Sequence, residues 1–540
     1  MNANVVSLNR RLAAALQAGG AMPALIAGDR VISYRDLTSH VAITAERLNA
    51  HGIGKGDRVA FQLPNSADAV VLMLATLMSG AIPVPILPSY RERELRHIVK
   101  TTRPRAIALT HGSRRFSPLQ TVVGLFAEES LEAGLLLADG PSRADDRPEW
   151  LDLRQFCLAP ADSMPRELHP IDMRADDTAM MLLSSGTTGL PKAIARRNAG
   201  YGYMIAEGCK VFELSRSAVY LAVLPLSHGF VINCPGILGT LACGGTVVLA
   251  ADASAQTSLA LIDAHGVTHT TLVPALLMQW MDRVGDSRAG SGTLRYMQVG
   301  GSRLSAELAT QAESRLGVRI QQCYGMSEGL LCFTRFADPE AIRFNSQGRP
   351  LSEADEILIV DDGGEPVPCG ESGELLTRGP YTIEQYFNDP DASRRAFTPS
   401  GYYRTGDVAH VDAAGNVYID GRVTDTINRG GEKFCPEELE ALIKRYAKLK
   451  DAACVGMPDD RFGEVSCLFA VARDGEQVSL AELRQHLDAA GVAAFKLPEK
   501  LVLIDEIPRT GIGKIDRAAL RASVGENAQA AAPACRTVQI

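Results

Sequence analysis

Apolar stretches with the length of strands alternate with helical patterns along the chain up to Gly348. Four of these stretches are Arg58–Leu63, Val219–Leu224, Thr246–Ala250 and Thr268–Val273. Segments of about 12–15 residues with helical periodicity separate such stretches. Two parallel strands need a crossover of this kind, whereas antiparallel strands can be joined by a short turn. The alternation therefore predicts an α/β fold with large, parallel-rich sheets.

The pattern changes after Gly348. The short strand-like stretches Glu356–Val360, Gly373–Thr377 and Gly415–Asp420 are separated by Gly, Asp and Pro turns, which favours antiparallel pairing in a small barrel-like subdomain. A polar turn at 421–425 then precedes a segment with its own α+β pattern. With 540 residues the chain is too long for one ordinary domain. We predict a core over 1–420, a hinge over 421–425, a small C-terminal domain over 426–526 and a disordered tail over 527–540.

Composition disfavours several classes of function. The net charge is −8, which disfavours nucleic acid as a partner because binding a polyanion needs a concentrated basic face. The most apolar stretch, Ala69–Leu87, is interrupted by Ser79, Gly80 and two prolines, so it predicts a helix, a turn and a buried strand and no membrane span. The 11 cysteines include no C-x-x-C pair and no zinc-ligand spacing. This usage predicts reduced thiols in a cytoplasmic protein.

The first motif with chemical potential is Leu182–Lys192. Two leucines that end a strand-like stretch lead into a loop of hydroxyls and glycines, and a lysine closes the loop. Glycines let backbone N–H groups converge on an anion, while hydroxyls and an ammonium add further donors. The spacing is not that of a Walker loop. The predicted phosphate-binding residues are Ser184, Ser185, Gly186, Thr187, Thr188, Gly189 and Lys192.

The second motif is Gln321–Glu328, in which a strand delivers an aromatic residue, a glycine and a carboxylate. Tyr324 is suited to stack on a flat ring, and Glu328 is suited to hold Mg²⁺ bound to phosphate oxygens. The overlapping segment Gly325–Gly329 also matches the G-x-S-x-G nucleophile elbow, so a serine hydrolase is an alternative. The elbow requires a helix immediately afterwards, whereas Leu330–Thr334 has the pattern of a strand.

Two further motifs lie toward the end of the chain. Tyr403–Asp407 is followed by Gly421–Lys433, and Asp407 is suited to accept both hydroxyls of a ribose while Arg422 faces the sugar or a phosphate. Lys514 is carried by a glycine-containing loop within Pro508–Asp516. Taken singly, each of these residues is also compatible with an ordinary turn or a solvated surface charge.

In this order and at this spacing, the four motifs resemble the adenylate-forming superfamily of acyl-CoA synthetases, luciferases and nonribosomal-peptide adenylation domains, over nearly the whole chain. The segments Gln298–Gly301, Arg378–Thr382 and Ile427–Lys433 are most similar to the stand-alone aryl-acid adenylating enzymes of siderophore assembly lines. The resemblance implies that ATP and Mg²⁺ are used to convert an aryl acid to its adenylate with release of pyrophosphate. It further implies transfer to the phosphopantetheine thiol of a separate carrier protein, or alternatively to free CoA.

The resemblance also implies a role for individual residues. Catalytic roles fall to Lys514, which bridges the acid carboxylate and the α-phosphate, to Glu328 and to His228. ATP or AMP is contacted by the 184–192 loop and by Gly301, Tyr324, Gly325, Asp407, Arg422 and Lys433, the last belonging to the arrangement for thiol transfer. Thr424 occupies the hinge position about which the C-terminal domain swings, where relatives carry Lys or Asp.

Acid selection is implied to lie in Pro225–Gly236, at Gly301 and at Leu331. The relatives follow the histidine at 228 with an Asn that hydrogen-bonds the 2-hydroxyl of the acid, whereas this chain has Gly229. Weak discrimination for a 2-hydroxyl is therefore expected. Cys234 and Leu331 resemble salicylate-type pockets and lack the hydroxyl partner and the space that a 3-hydroxyl requires. A catalytically silent nucleotide-binding paralogue is a further alternative, although none of the implied catalytic residues is missing.

Overall fold

The computed structural model describes residues 7–111, 117–129, 135–139, 150–160, 164–184, 190–284, 292–301, 304–429, 432–434, 436–459, 463–490, 492, 496–510 and 514–530. The chain divides into two compact units. Unit 1 comprises Met1–Ile357 and Thr377–Tyr403, and unit 2 comprises Leu358–Leu376 and Arg404–Ile540. This division assigns most of the predicted antiparallel subdomain to unit 2. The predicted boundary at 421–425 stays a prediction.

Unit 1 is built from sixteen strands and fourteen helices among the described residues. The strands are β1 (Pro23–Ala27), β2 (Arg30–Ser33), β3 (Arg58–Gln62), β4 (Ile82–Pro85), β5 (Ala106–Thr110), β6 (Leu135–Asp139), β7 (Trp150–Asp152), β8 (Thr178–Ser184), β9 (Lys192–Arg197), β10 (Val219–Ala222), β11 (Thr246–Leu249), β12 (His269–Leu272), β13 (Tyr296–Val299), β14 (Arg319–Gly325), β15 (Leu331–Phe333) and β16 (Arg349–Pro350). The helices are α1 (Leu8–Ala18), α2 (Tyr34–Ala50), α3 (Ala67–Met78), α4 (Glu92–Thr102), α5 (Pro118–Glu129), α6 (Leu153–Cys157), α7 (Asn198–Val211), α8 (Gly229–Asn233), α9 (Gly236–Ala242), α10 (Ala255–His265), α11 (Pro274–Val284), α12 (Ala306–Leu316), α13 (Glu340–Asn345) and α14 (Pro390–Ala396).

Two large sheets and one hairpin organise unit 1. The nine-stranded sheet has the order β16-β15-β14-β13-β12-β10-β11-β1-β2, and the five-stranded sheet has the order β4-β3-β5-β6-β7. Every described pairing in the five-stranded sheet is parallel, as are those from β14 through to β1 in the larger one. Strands such as β11 are buried along their whole length because helices cover both faces of a parallel sheet. The predicted α/β class is confirmed.

The parallel strands of the larger sheet place the functional residues. Neighbouring parallel strands end at the same edge, and ligands of open α/β sheets bind at the carboxyl ends of their strands. The segments that leave β10, β13 and β14 carry His228, Gly301 and Glu328 respectively. The hairpin of β8 and β9 is a separate two-stranded sheet.

Unit 2 contains two further sheets. Its strands and helices are β17 (Glu356–Val360), β18 (Gly373–Arg378), β19 (Tyr403–Val411), β20 (Val417–Arg422), β21 (Ile427–Arg429), β22 (Glu432–Phe434), β23 (Leu449–Asp459), β24 (Gly463–Ala472), β25 (Lys500–Leu503), α15 (Pro436–Ile443), α16 (Leu480–Ala489) and α17 (Arg517–Ala530), with a 3-10 turn at Val423–Asp425. The first sheet runs β17-β18-β19-β20, and no described pairing closes β17 onto β20, so the predicted barrel-like closure is not found there. The second sheet runs β22-β21-β24-β23, with β25 parallel to β24.

The last described helix extends into the predicted tail. Helix α17 continues through Ala530, four residues into the segment predicted as disordered, because Ala and Gln have high helix propensity and prolong a helix that is already anchored. Residues 531–540 lie outside the described part of the chain. Among the residues that are described, every helix is too short or too polar to span a bilayer, and every cysteine whose state is given is free.

Candidate active site

The two described ends of the predicted phosphate-binding motif belong to the β8–β9 hairpin. Ser184 at the end of β8 is directly paired with Lys192 at the start of β9, so the loop between them begins and ends at one point. The ammonium of Lys192 lies 4.6 Å from the centroid of the Tyr386 ring, a cation–π contact. The remaining predicted phosphate-binding residues, Ser185, Gly186, Thr187, Thr188 and Gly189, lie outside the described residues.

Glu328, the predicted magnesium-binding carboxylate, is held in place by a phenol. Its side chain is buried, and the Tyr386 hydroxyl donates a hydrogen bond of 2.9 Å to its Oε1. The hydroxyls of Tyr386 and Tyr403 are 3.0 Å apart. Burial, reinforced by the charge of Glu328, raises the pKa of Tyr386, so this phenol stays protonated and acts as a donor. The carboxylate is therefore oriented before any ligand arrives.

A buried arginine connects this carboxylate to the rest of unit 1. Arg196 on β9 has only 2% of its surface exposed, and its guanidinium donates to the carbonyl oxygens of Ser327 and Tyr381. The guanidinium also lies over the Tyr201 ring, with 5.3 Å to the centroid. Desolvation lowers the pKa of Arg196, while neighbouring groups including Glu328 oppose that shift. Arg196 thus fixes the backbone immediately before Glu328.

Glycines allow close packing of the backbone where β13 and β14 end. Side chains at Gly300 and Gly325 are excluded, because an added Cβ would come within 2.4 Å of Cys323 Sγ in the first case and of Leu331 Cδ2 in the second. Gly301 has a φ of +83°, which disfavours any other residue there. Tyr324 is half-buried beside them. Gly301, Tyr324 and Gly325, which were predicted to contact ATP or AMP, therefore lie at the ends of two neighbouring strands, as a shelf of glycine backbone beside one aromatic ring.

Helix α8 adjoins this shelf and carries the predicted acid-selecting residues. The imidazole of His228 accepts a hydrogen bond of 3.2 Å from the backbone N–H of Phe230, which fixes the start of the helix. A Cβ added at Gly229 would lie 3.4 Å from Leu182 Cδ1, 3.5 Å from Asn233 Oδ1 and 3.8 Å from Ser327 Oγ. The space beside Gly229 is thus bounded by β8, by α8 itself and by the loop that leads to Glu328.

The two other predicted acid-selecting residues are apolar in character. Cys234 is buried, and burial raises the pKa of its thiol to about 12 although the nearby Arg196 opposes the shift. The thiol is therefore neutral and behaves as a small hydrophobic group. Leu331 is also buried and lies directly opposite Gly325 in the antiparallel pairing of β14 with β15. Neither residue presents a strong hydrogen-bonding partner.

In unit 2 the predicted ribose and carboxylate-bridging residues lie near one another. Asp407 and Arg422 face each other across β19 and β20 and form an ion pair of 2.7 Å. Lys514 closes a short hairpin in which its backbone carbonyl accepts a 2.7 Å hydrogen bond from Thr510. Desolvation and the positive charge of Arg422 lower the pKa of Lys514, and the charge of Asp407 acts in the opposite direction.

The predicted hinge residue and the predicted thiol-transfer lysine occupy short elements of unit 2. Thr424 lies in the 3-10 turn, and Lys433 lies on β22 opposite Asn428. The residue after Thr424 belongs to a charge cluster that we did not predict from the sequence. Asp425 forms ion pairs with Arg517 at 3.4 Å and with Arg521 at 2.9 Å. Arg517 is also paired with Glu437 and Glu440, at 2.6 and 3.0 Å.

The structure argues against the serine-hydrolase alternative. After the turn that contains Ser327, the chain enters β15, which runs antiparallel to β14. A nucleophile elbow instead requires a strand, a sharp turn and then a helix. The segment Gly325–Gly329 therefore matches the motif in sequence only.

We expect a serine-directed fluorophosphonate to leave Ser327 unlabelled, because a nucleophilic serine needs a general base positioned against its hydroxyl. Intact-protein mass spectrometry after incubation with the probe checks this, with an authentic serine hydrolase treated alongside as a positive control. Stoichiometric labelling mapped to Ser327 would restore the hydrolase interpretation.

The residues present could hold Mg²⁺ only if a bound ligand supplied some of the atoms that coordinate it. Among the described residues no group of three or more His, Cys, Asp or Glu side chains is arranged to hold a metal. A single oriented carboxylate such as Glu328 suits Mg²⁺, which keeps several waters and is bound through one or two carboxylates together with substrate phosphates.

The chain is similar to known proteins over most of its length. The family model described as AMP-binding enzyme matches residues 12–387, and the model of the AMP-binding enzyme C-terminal domain matches residues 438–514. A 2-hydroxy-7-methoxy-5-methyl-1-naphthoate–CoA ligase of Streptomyces carzinostaticus is 43% identical over 96% of this chain and 93% of its own length. A salicyl-AMP ligase / salicyl-S-ArCP synthetase of Mycobacterium tuberculosis is 38% identical over 92% of this chain and 87% of its own. The apo structure of MbtA from Mycobacterium smegmatis matches with a TM-score of 0.72 at 37% identity, covering 96% of this chain and 95% of that one.

Proposed function

This chain belongs to the family of AMP-binding enzymes, and we propose that it activates a 2-substituted aryl carboxylic acid with ATP and then transfers the aryl group to a thiol. The acid is salicylate-like, and the acceptor is the phosphopantetheine arm of an aryl carrier protein in siderophore or nonribosomal-peptide biosynthesis. The relative from M. tuberculosis carries both activities in its name, which supports this pairing of acid and acceptor.

The observation that carries the proposal is that the predicted acid pocket and the predicted phosphate site are joined by two consecutive residues, Ser327 and Glu328. Ser327 Oγ lies 3.8 Å from the position of a Cβ at Gly229, in the predicted acid pocket. The next residue, Glu328, is hydrogen-bonded to Tyr386, and the ring of Tyr386 lies beneath the ammonium of Lys192 at the base of the predicted phosphate loop. An enzyme that joins a carboxylate to a phosphate needs this adjacency.

The first half-reaction brings two anions together, so its catalysis is mainly charge neutralisation and alignment. A carboxylate oxygen of the acid attacks the α-phosphorus of ATP, the bond to the β-phosphate oxygen breaks, and pyrophosphate leaves. Lys192 neutralises phosphate charge at the β8–β9 loop, and Asp407 with Arg422 holds the ribose. Lys514 supplies the positive charge between the carboxylate and the α-phosphate. Mg²⁺, held by Glu328 and the phosphates, would offset the charge that builds on the departing pyrophosphate.

The second half-reaction moves the aryl group from AMP to sulfur. The thiolate attacks the acyl carbon, and the bond from that carbon to the phosphate oxygen breaks to release AMP. Lys433 on β22 is the residue assigned to this arrangement, with Thr424 as the hinge position. Free CoA is the second candidate acceptor because it ends in the same thiol, and the name of the S. carzinostaticus relative favours it.

We expect 2,3-dihydroxybenzoate to be a poor substrate compared with salicylate. The buried Cys234 and Leu331 present neither a strong partner nor a polar surface for a 3-hydroxyl, and a buried hydroxyl left without a partner costs roughly 1–3 kcal/mol. ATP–pyrophosphate exchange over a panel of aryl acids tests the acid, with acetate and alanine as non-aryl controls.

The same preparation identifies the acceptor. The pre-formed adenylate is offered to an aryl carrier protein and to CoA at equal concentration, and the products are weighed by mass spectrometry. The proposed acid would be contradicted if none of the aryl acids supported exchange, or if 2,3-dihydroxybenzoate were preferred to salicylate. Acylation of CoA alone would favour the second candidate.

A further inference from the structure

Helix α8 ends in a polar side chain that its surroundings do not satisfy. Asn233 is 4% exposed and lies among the apolar residues of the segment that begins at His228. Its Oδ1 has no hydrogen-bond partner among the described residues. A buried carbonyl oxygen without a partner is costly, and native structures rarely leave one unexplained.

The rest of this amide is held only weakly. Its Nδ2 contacts two sulfur atoms, Met204 Sδ at 3.7 Å and Cys234 Sγ at 3.6 Å. Thioether and thiol sulfurs are weak acceptors, so these contacts do not explain why a polar residue is buried at this position. An apolar side chain of similar size would pack against the same sulfurs without any desolvation cost. A role in packing therefore does not account for Asn233.

The unsatisfied oxygen faces the space that Gly229 leaves open. A Cβ built on Gly229 would lie 3.5 Å from Asn233 Oδ1, in ordinary van der Waals contact. The two residues are four positions apart on one helix, which places their side chains on the same face. Position 229 is where the aryl-acid enzymes that this chain resembles carry an amide. The structure thus shows an amide in the same space, delivered one helical turn later.

Resting on the proposed function, we propose that Asn233 recognises the ortho substituent of the aryl acid and replaces the amide that Gly229 cannot supply. Because the unpaired atom is an acceptor, the matching substituent is a hydrogen-bond donor, a hydroxyl or an amino group. This alters the expectation drawn from the sequence, in which the loss of Asn at 229 predicted weak discrimination for a 2-hydroxyl. The substrate class is an aryl acid with an ortho donor.

The test measures selectivity within each enzyme variant. Adenylation kcat/KM is determined for salicylate, anthranilate, benzoate and picolinate by pyrophosphate exchange. The wild-type protein is expected to prefer salicylate and anthranilate to benzoate by roughly tenfold to a hundredfold, the worth of one satisfied buried hydrogen bond. In Asn233→Leu, which retains bulk but not the acceptor, the ratio of salicylate to benzoate should fall to within about threefold of unity. Asn233→Ala serves as a second variant should the leucine fail to fold.

Asn416 provides a matched control. It is likewise 4% exposed with an unpartnered Oδ1, but it lies in the turn between β19 and β20 and donates to Asp412 at 2.8 Å. Asn416→Leu removes an equally buried amide and should leave the ratio of salicylate to benzoate as in the wild-type protein. If the ratio of salicylate to benzoate fell equally in Asn416→Leu, the effect would be due to lost stability, and the proposal would be overturned.

The outcomes separate this inference from the function on which it rests. If no aryl acid supports exchange in the wild-type protein, the proposed function fails. If exchange is normal but both Asn233 variants retain the wild-type ratio, only the role of Asn233 fails. A wild-type preference for picolinate, whose ring nitrogen is an acceptor, would also overturn it, because the amide would then be presenting its Nδ2.

Discussion

Replacing Lys514 with alanine is expected to slow formation of the aryl adenylate by roughly 10²–10³-fold, the scale on which one preorganised charge or donor acts in a transition state. The charge is needed where two anions approach, and it is needed only while they react. Transfer from a pre-formed adenylate to the thiol should be affected far less. Single-turnover measurements of the two half-reactions check this, and an equal loss in both would show that Lys514 does not have the assigned role.

The pKa of Lys514 predicts how the adenylation rate changes at alkaline pH. Desolvation and the neighbouring Arg422 lower its pKa, so its charge is lost at a lower pH than that of an ordinary lysine. The adenylation rate should therefore fall on the alkaline side as the pH rises through this lowered pKa, and the transfer step should not follow it. Lys500→Ala on β25 removes a lysine from the same unit and serves as the control for a general loss of positive charge.

Replacing Asp407 with alanine is expected to raise the KM for ATP by roughly tenfold to a hundredfold, since hydrogen bonds to a charged group are worth roughly 1.5–3 kcal/mol. A carboxylate that accepts both ribose hydroxyls acts in the ground state and the transition state alike, so the loss should appear in binding. Initial rates over a matrix of ATP and acid concentrations check this, with the KM for the acid expected to stay nearly normal.

The ion pair between Asp407 and Arg422 supplies the control for that experiment. In the structure these side chains are 2.7 Å apart, so Asp407→Ala also releases the guanidinium. Asp407→Asn retains one acceptor oxygen and most of the packing, and it should give an intermediate KM for ATP. An ATP dependence that is unchanged in both variants would contradict the assignment of the ribose.

The architecture of unit 1 was predictable from the sequence because buried parallel strands leave a strong signal. The stretches at Arg58, Val219 and Thr246 begin strands at those same residues, since each is apolar on both faces of a covered sheet. Likewise, the strand-like pattern after the Gly325–Gly329 turn correctly disfavoured the hydrolase. The predicted barrel-like closure is not found among the described residues, because a pattern of short strands does not determine whether the first and last strands of a sheet pair.

The candidate site was predictable only where a residue type is unusual for its position. Glycines, a loop lysine and a carboxylate after a strand are noticeable, whereas Arg196 and Arg197 are adjacent and only the structure shows which one is buried. Tyr386 likewise has no local signal that it bonds to Glu328, 58 positions away. Asn233 is noticeable in the sequence as a polar residue between Ile232 and Cys234. Its role could be inferred only from the structure, which places its side chain beside Gly229.

The charge cluster of unit 2 makes segments that are distant in the sequence depend on one another. Glu440 is almost fully buried, and desolvation raises its pKa to about 7 even though Arg517 opposes the shift. The arginines that balance Asp425 and Glu437 follow them by 96 and 80 residues, on the final helix. When α17 is not docked, the acidic side chains of α15 and of the 3-10 turn lack these counter-charges. Segments of unit 2 that are 80 to 96 residues apart in the sequence therefore neutralise each other's charge, and each depends on the other for a stable position.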